Sequence, residues 1–446
     1  MLQKEVNLKS RDLYLNKLIT FKDTEPVKII TGIRRCGKSS LMKLMIKYLK
    51  NNEIEDDQII EMNFESMDYR NMTAKEVYTY VKQQLPRGKR AYMFFDEIQR
   101  VEAWEDAINS FRIDFDCDIY ITGSNAYLLS GEYATYLAGR YVEIKMLPLS
   151  FSEFIDFHGY TVGEKQGPSG EVKKHIYDVN GESYEPQELL DAYIRFGGMP
   201  GIVDVGLNSE TAFTLLDGVY STVVVRDILE REKRRGQRQI TDPELLRKII
   251  MFLADNIGNS TSITSIGNTL VNERLIDVSE RKGKPAVQTI QAYVGALLES
   301  YIFYEIKRFD IKGKEYLRTL GKYYIVDVGL RNYLLGLRDM DTGHIIENIV
   351  YFELLRRGYD VSIGKVGDKE IDFIAINTDT KRYIQVTESM NEQSTREREL
   401  APLRKIRDNY EKIVIAGECV NPVTQDGIKI IKLTDFLLNT NQKVLL

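Results

Sequence analysis

Cysteine, histidine and proline are scarce: 3, 3 and 10 residues in a chain of 446. Cys36, Cys117 and Cys419 lie too far apart for a disulfide framework or a zinc cluster, which needs closely spaced pairs. A reducing compartment is therefore the expectation. His158, His175 and His344 are too few and too scattered for a histidine metal site or a Ser-His-Asp triad. No window approaches the ~18 apolar residues of a membrane span, and Met1 to Lys9 lacks the apolar stretch of a signal peptide, so a cytoplasmic protein is expected. There is no excess of positive charge either: 61 Lys and Arg face 66 Asp and Glu, a net charge of −5. Any contact with nucleic acid must come from local basic patches. What is present is ordinary globular material, 43% hydrophobic and 28% charged, long enough for about three domains at ~150 residues each.

Short β-rich runs alternate with helical periodicity over the first third of the chain. Val27–Thr31 is followed by a helix over Ser39–Leu49, and further strands are expected at Ile59–Phe64, Tyr92–Phe95, Ile119–Thr122 and Tyr141–Met146, with helices near Thr73–Leu85 and Trp104–Phe115 between them. Such alternation predicts an α/β domain, 1–150, with a parallel sheet covered by helices on both faces. The section 151–241 reads as mainly helical, with a polar inserted loop or hairpin at about 159–186. Over 242–340 three helices precede two strands, and over 341–446 a helix precedes strands at Tyr359–Val366, Glu370–Ile376 and Tyr383–Thr387.

Gly32-Ile33-Arg34-Arg35-Cys36-Gly37-Lys38-Ser39 satisfies the eight-position phosphate-loop pattern, and it lies between a strand and a helix as that pattern demands. Its glycines let main-chain N–H groups converge on phosphate, the helix N-terminus adds partial positive charge, Lys38 reaches the β- and γ-phosphates, and Ser39 can bind Mg²⁺. Gly32, Arg35, Cys36, Gly37, Lys38, Ser39 and Ser40 are thus the expected ATP contacts, joined by Asn125 from the segment Thr122-Gly123-Ser124-Asn125. The apolar run Tyr92–Phe95 ends in Asp96-Glu97. Asp96 is the second candidate metal anchor, and Glu97 the candidate to orient or deprotonate the water that attacks the γ-phosphate. Arg140, just before the fifth strand, is a candidate for stabilising transition-state charge in its own or a neighbouring subunit, or else a surface arginine. Arg226 is a weaker candidate from the helical section.

These motifs and the order of the strands resemble an AAA+ family ATPase. Ile30 to Ser39, Leu137-Ala138-Gly139-Arg140, Phe151-Ser152-Glu153-Phe154 and Gly197-Gly198-Met199-Pro200 resemble, more narrowly, a prokaryotic group that joins an AAA-type P-loop domain to a C-terminal domain of unknown function. The resemblance implies ATP binding and hydrolysis with Mg²⁺, a helical lid at 151–241, and no settled biological role.

The 242–340 region is similar to winged-helix modules, whose third helix enters a groove while the hairpin touches the backbone. Its hairpin carries Lys307, Arg308, Lys312, Lys314, Arg318 and Lys322, and Arg231 to Arg238 holds Arg234 and Arg235 among five basic residues. These clusters could contact DNA phosphates or form a solvated face at a protein contact. The 341–446 region resembles the PD-(D/E)XK nuclease fold, with Glu347, Asp372 and Gln385 at the acidic positions. Thr387 stands where active relatives carry lysine, so a degenerate domain, used for nucleic-acid or protein contact, is expected.

Overall fold

The structure, a computed structural model, describes residues 8–126, 139–166, 172–229, 240, 242–272, 285–311, 313, 315–338, 342–419 and 423–439. The chain divides into two compact units, Met1–Met146 with Glu299–Tyr301, and Leu147–Leu298 with Ile302–Leu446.

In the first unit α1 (Asp12–Thr20) precedes β1 (Val27–Thr31), α2 (Lys38–Asn51), β2 (Ile59–Asn63), α3 (Ala74–Gln84), β3 (Ala91–Asp96), α4 (Trp104–Asp114), β4 (Cys117–Gly123) and β5 (Tyr141–Lys145). The five strands form one parallel sheet in the order β2-β3-β4-β1-β5. Strands β1 and β3 are buried along their whole length, as strands covered on both faces must be, and this explains their unbroken apolar runs. Val27, Ile29, Met93, Phe95, Ile119 and Ile121 alternate onto the face that packs Val77 and Val81 of α3 and Ala107, Ile108 and Phe111 of α4. A Thr73–Glu76 capping box starts α3. Because every strand is parallel, the segments after β1, β3 and β4 emerge at one edge, the place where α/β sheets collect ligands.

The second unit begins with α5 (Phe151–Phe157), capped by Ser150 and Glu153. The stretch expected as an insertion forms a small antiparallel sheet of β6 (Thr161–Gln166), β7 (Val172–Tyr177) and β8 (Ser183–Tyr184). Next come α6 (Pro186–Phe196), α7 (Ile202–Val205) and α8 (Ser209–Ser221), then a π-helical segment Thr222–Leu229 that carries Arg226. The side chain of Arg226 lies outside the described residues. The Gly197-Gly198 break is a three-way junction. Gly198 N–H donates to Asp327 Oδ2 at 2.7 Å, and Leu149 N–H donates to the Gly198 carbonyl at 2.7 Å. A Cβ at Gly198 would stand 2.3 Å from the Leu149 carbonyl oxygen, a distance no side chain can occupy.

Three helices, α9 (Pro243–Asp255), α10 (Ile263–Asn272) and α11 (Val287–Glu299), then lead to the hairpin β9 (Phe303–Asp310) and β10 (Glu315–Ile325), as the sequence predicts. After α12 (Val328–Leu335) and α13 (Thr342–Arg356) come β11 (Asp360–Val366), β12 (Lys369–Ile376), β13 (Lys381–Ser389), α14 (Gln393–Arg404), β14 (Glu411–Glu418), β15 (Val423–Gln425), β16 (Ile428–Lys432) and α15 (Leu433–Leu438). All eight strands from β9 onward belong to a single sheet, in the order β10-β9-β11-β12-β13-β14-β16-β15. The join is the parallel pairing of β9 with β11, which sets Ile363 opposite Arg308 and Lys365 opposite Asp310. One sheet therefore includes strands from both sides of the 340/341 boundary that the sequence suggested.

Candidate nucleotide site

The phosphate loop leaves β1 through Gly32 at φ +143°, passes Arg35 at φ +64° and enters α2 through Gly37 at φ +103°. Gly32 is obligatory on space as well as angle, because a Cβ there would lie 2.1 Å from the Met146 carbonyl oxygen. No side chain caps α2 at Gly37, which leaves its first N–H groups and its dipole directed at the loop. Arg35, Ser39 and Ser40 are exposed at the mouth, and Cys36 is fully buried beneath.

Lys38 is only 5% exposed, and its Nζ donates to the carbonyls of Gly32 (2.9 Å) and Ile33 (3.1 Å). The described residues bury two other lysines. Lys28 pairs with Asp118 at 2.5 Å and Lys322 with Glu347 at 2.8 Å. Lys38 alone has its charge met by neutral groups only.

The acids opposite it show the same pattern. Thr122 Oγ1 donates to Asp96 Oδ1 at 2.5 Å and accepts the Glu97 N–H at 3.0 Å, while Asn63 Nδ2 donates to Asp96 Oδ2 at 3.0 Å. Glu97 sits at φ +56° and accepts from Gln99 Nε2 at 2.7 Å and from Ser124 Oγ at 3.4 Å. Asn125 is buried at the end of the neighbouring strand. A cavity of about 120 Å³ reaches in beside Ser39, Asn63 and Asp96. The loop, the lysine, the hydroxyl and the two carboxylates expected from the sequence thus share one edge. Asn63, Gln99, Thr122 and Ser124, which hold the acids, were not singled out as their partners in the sequence, because each is an ordinary polar residue until the strand register aligns it.

Arg140 is a correction. It precedes β5 at the end that pairs with the start of β1, Val27 opposite Tyr141, and its carbonyl accepts the Val27 N–H at 2.9 Å. The phosphate loop leaves the far end of β1, about 13 Å along a five-residue strand. A role for Arg140 at the nucleotide bound by its own subunit is thereby excluded.

A uncapped helix start, two glycines that cannot take a side chain, a charge-ready lysine, and oxygen donors from Ser39 and Asp96 fit an Mg²⁺–nucleotide. The fold and this site define a P-loop ATPase. The sequence matches the AAA domain over residues 24–155 and a domain of unknown function, DUF8612, over residues 187–341. It is 39% identical to an uncharacterised protein of Haemophilus influenzae over 96% of this chain and 98% of that one, and 31% identical to an uncharacterised protein of Methanocaldococcus jannaschii over 90% and 82%. The chain belongs to the family of these proteins. Among solved structures, the Walker-type ATPase of Pyrococcus abyssi aligns over 73% of this chain and 95% of its own, at 17% identity and TM-score 0.43. The Aeropyrum pernix ORC1 protein, solved with DNA, aligns over 73% and 92%, at 12% identity and TM-score 0.32. Both likenesses are too loose to carry an argument about activity.

The second group of sequence candidates also converges. Glu347 on α13 accepts from Lys322 Nζ (2.8 Å) and from the Tyr324 hydroxyl (2.6 Å). Lys322 Nζ also lies 3.0 Å from Glu370 Oε1 and 3.9 Å from Asp372 Oδ1, and Val386 N–H donates to Asp372 Oδ2 at 2.8 Å. Gln385 stands opposite Asp372, by the register that aligns Phe373 with Ile384. Burial and then the neighbouring Glu347 push the Asp372 carboxyl well above the usual range. Burial opposes ionisation of Glu347 too, but Lys322 and the hydrogen bonds of His344, Lys322 and Tyr324 outweigh it and hold that carboxyl low. Lys322, read in the sequence as one of a basic run able to touch phosphate, is instead buried in ion pairs. Arg234, Arg235, Lys312 and Lys314 lie outside the described residues. No described helix is long and apolar enough to cross a membrane.

Proposed function

We propose that this protein is a cytoplasmic Mg²⁺-dependent ATPase that couples hydrolysis of the γ-phosphate to movement of its C-terminal domains, which contact DNA or a protein partner. The observation that supports it most is the set of partners that the nucleotide edge gives its ionisable side chains. Lys38, Asp96 and Glu97 are buried, yet each is hydrogen-bonded only to neutral groups. Burying charge without an opposite charge is costly, and a bound Mg²⁺–ATP would remove that cost.

In this reading the N–H groups of the loop and Lys38 grip the phosphates, and Ser39 and Asp96 hold the metal, which screens the phosphate charge. Glu97, kept in place by Gln99 and Ser124, orients or deprotonates the attacking water. Asn125 senses the γ-phosphate, and Arg140 serves the nucleotide of a neighbouring subunit. The helices α9 to α11 and the β9–β10 hairpin act as a winged-helix contact module. The C-terminal sheet is a nuclease-like fold used for contact rather than cleavage, since Gln385 and Thr387 stand at the positions where an acid and a lysine are needed.

Steady-state ATPase assays with Mg²⁺, with and without duplex DNA, test the reading. Turnover that requires Lys38 supports it. Tight ATP binding with negligible turnover under all conditions would favour a slow interaction switch instead. If DNA is the partner, affinity should fall with salt at a slope of about −0.9 per phosphate contacted, and undetectable binding at low ionic strength would leave only the protein partner.

A further inference from the structure

Three residues of the first compact unit, Glu299–Tyr301, come from far along the sequence, and the chain before and after them belongs to the second unit. They carry the chain from the end of α11 towards the start of β9. Tyr301 fixes them in place. Its side chain is buried, 5% exposed, and its backbone stands at φ +59°, a left-handed conformation that a bulky residue keeps only where its surroundings hold it. Its hydroxyl donates to Glu143 Oε1 across 3.5 Å and shares a hydrogen bond with the Thr31 side chain. Thr31 Oγ1 donates to the same Glu143 oxygen at 2.7 Å. Burial and then the neighbouring Glu143 push the Tyr301 hydroxyl well above its usual range, so it keeps its proton and remains a donor. Thr31 is the last residue of β1 and is bonded directly to Gly32, where the phosphate loop begins. Tyr301 therefore reaches the root of the nucleotide site.

We infer that Tyr301 is a positioning residue for nucleotide hydrolysis: through Thr31 and Glu143 it ties the root of the phosphate loop to the joint between α11 and β9, and nucleotide state passes to the C-terminal half along the chain itself. The inference rests on the ATPase reading and names the element that does the coupling. Lys38 Nζ holds the carbonyls of Gly32 and Ile33, and a phosphate competes for that ammonium, so nucleotide binding acts first on the residues next to Thr31. A hydroxyl bonded both to Thr31 and to its partner Glu143 follows any shift of that residue, and the backbone of 299–303 follows the hydroxyl. Such coupling is reciprocal: a nucleotide that fixes the joint is bound more tightly when the joint is fixed. If Tyr301 served packing alone, its ring would carry the whole effect, and phenylalanine retains the ring.

The test is amide hydrogen exchange over residues 299–303 of the full-length chain, with and without Mg²⁺ and a saturating non-hydrolysable ATP analogue, whose binding is titrated in the same samples. In the native chain the analogue should slow exchange there by about tenfold or more. Tyr301→Phe should cut that response to about twofold or less while binding the analogue within about threefold of the native affinity. Thr31→Val should cut it as well, and the double variant should show no further loss, because both side chains act through one connection. A native chain that binds the analogue with no change at 299–303 would overturn the inference. So would a Tyr301→Phe chain that keeps the native response, the result expected of packing alone. A native chain that does not bind the analogue would sink the ATPase reading and this inference with it.

Discussion

Lys38 and Lys322 are both buried, and both lie near acids carried on strands, but their surroundings are opposite. At the nucleotide edge the positive and negative charges are kept apart, each held by carbonyls, hydroxyls and amides. In the C-terminal sheet the charges have been brought together and neutralise one another. Separated charges form a site that is completed by a ligand. Collapsed charges form a site that is already satisfied, and its contribution is to structure.

Three measurements bear on that contrast. The largest effect is expected for Glu97→Gln, which keeps the shape and the hydrogen bond to Gln99 while removing the base. ATP turnover should fall by about 10²–10⁴ with binding unchanged, whereas Lys38→Ala should weaken binding itself by ~100-fold, about 3 kcal/mol. Equal loss of binding in both variants would end the division of roles. Next is a pair of lysine substitutions compared by thermal or urea unfolding in the absence of nucleotide. Lys322→Met should cost about 3–5 kcal/mol because it leaves Glu347 charged and uncompensated, while Lys38→Met, which removes no ion pair, should cost ~1 kcal/mol or less. Equal costs would erase the distinction between the two lysines.

The smallest effect concerns Asp327, an acid of intermediate kind: buried, uncompensated by any cation among its named partners, and hydrogen-bonded by the N–H groups of Gly198 and Leu330. Burial lifts its carboxyl to about 6, against the opposing pull of those amides. The folded chain thus holds a proton there that the unfolded chain has already released, so native stability should fall as pH rises from about 4 to about 6 and then level off. The stability of the native chain relative to Asp327→Asn should drop by ~1–3 kcal/mol across that window and stay constant above it. A flat difference would show that the amides fully stabilise the anion.

Contiguous motifs were legible, and assembled ones were not. Gly32 to Ser39 and Asp96-Glu97 each lie at the end of one strand, so spacing alone placed them at the same edge. Glu347, Asp372 and Gln385, which lie on a helix and two strands, were read from the resemblance to a nuclease fold and not from spacing. The lysine that pairs with the two acids was missed because it comes from β10, where the nearby Lys312, Lys314 and Arg318 in the sequence made it look like part of a solvated run. The run Tyr323-Tyr324-Ile325-Val326 that follows was the available signal, since such apolar density marks the end of the strand as buried. Arg140 was placed near the right strand but at the wrong end of it, although strands running parallel put its residue-140 end opposite the loop.

The β9–β11 pairing also governs how this protein can be cut. A chain stopped at residue 340 would leave β9 paired with β10 alone and open the main-chain donors and acceptors around Arg308 and Asp310 along its other, unprotected edge. Such a fragment should cross-pair with its own copies and be recovered as aggregate, however well its three helices fold. The hairpin must therefore travel with the sheet that follows it, and a fragment meant to report on that sheet has to begin upstream of Ile302.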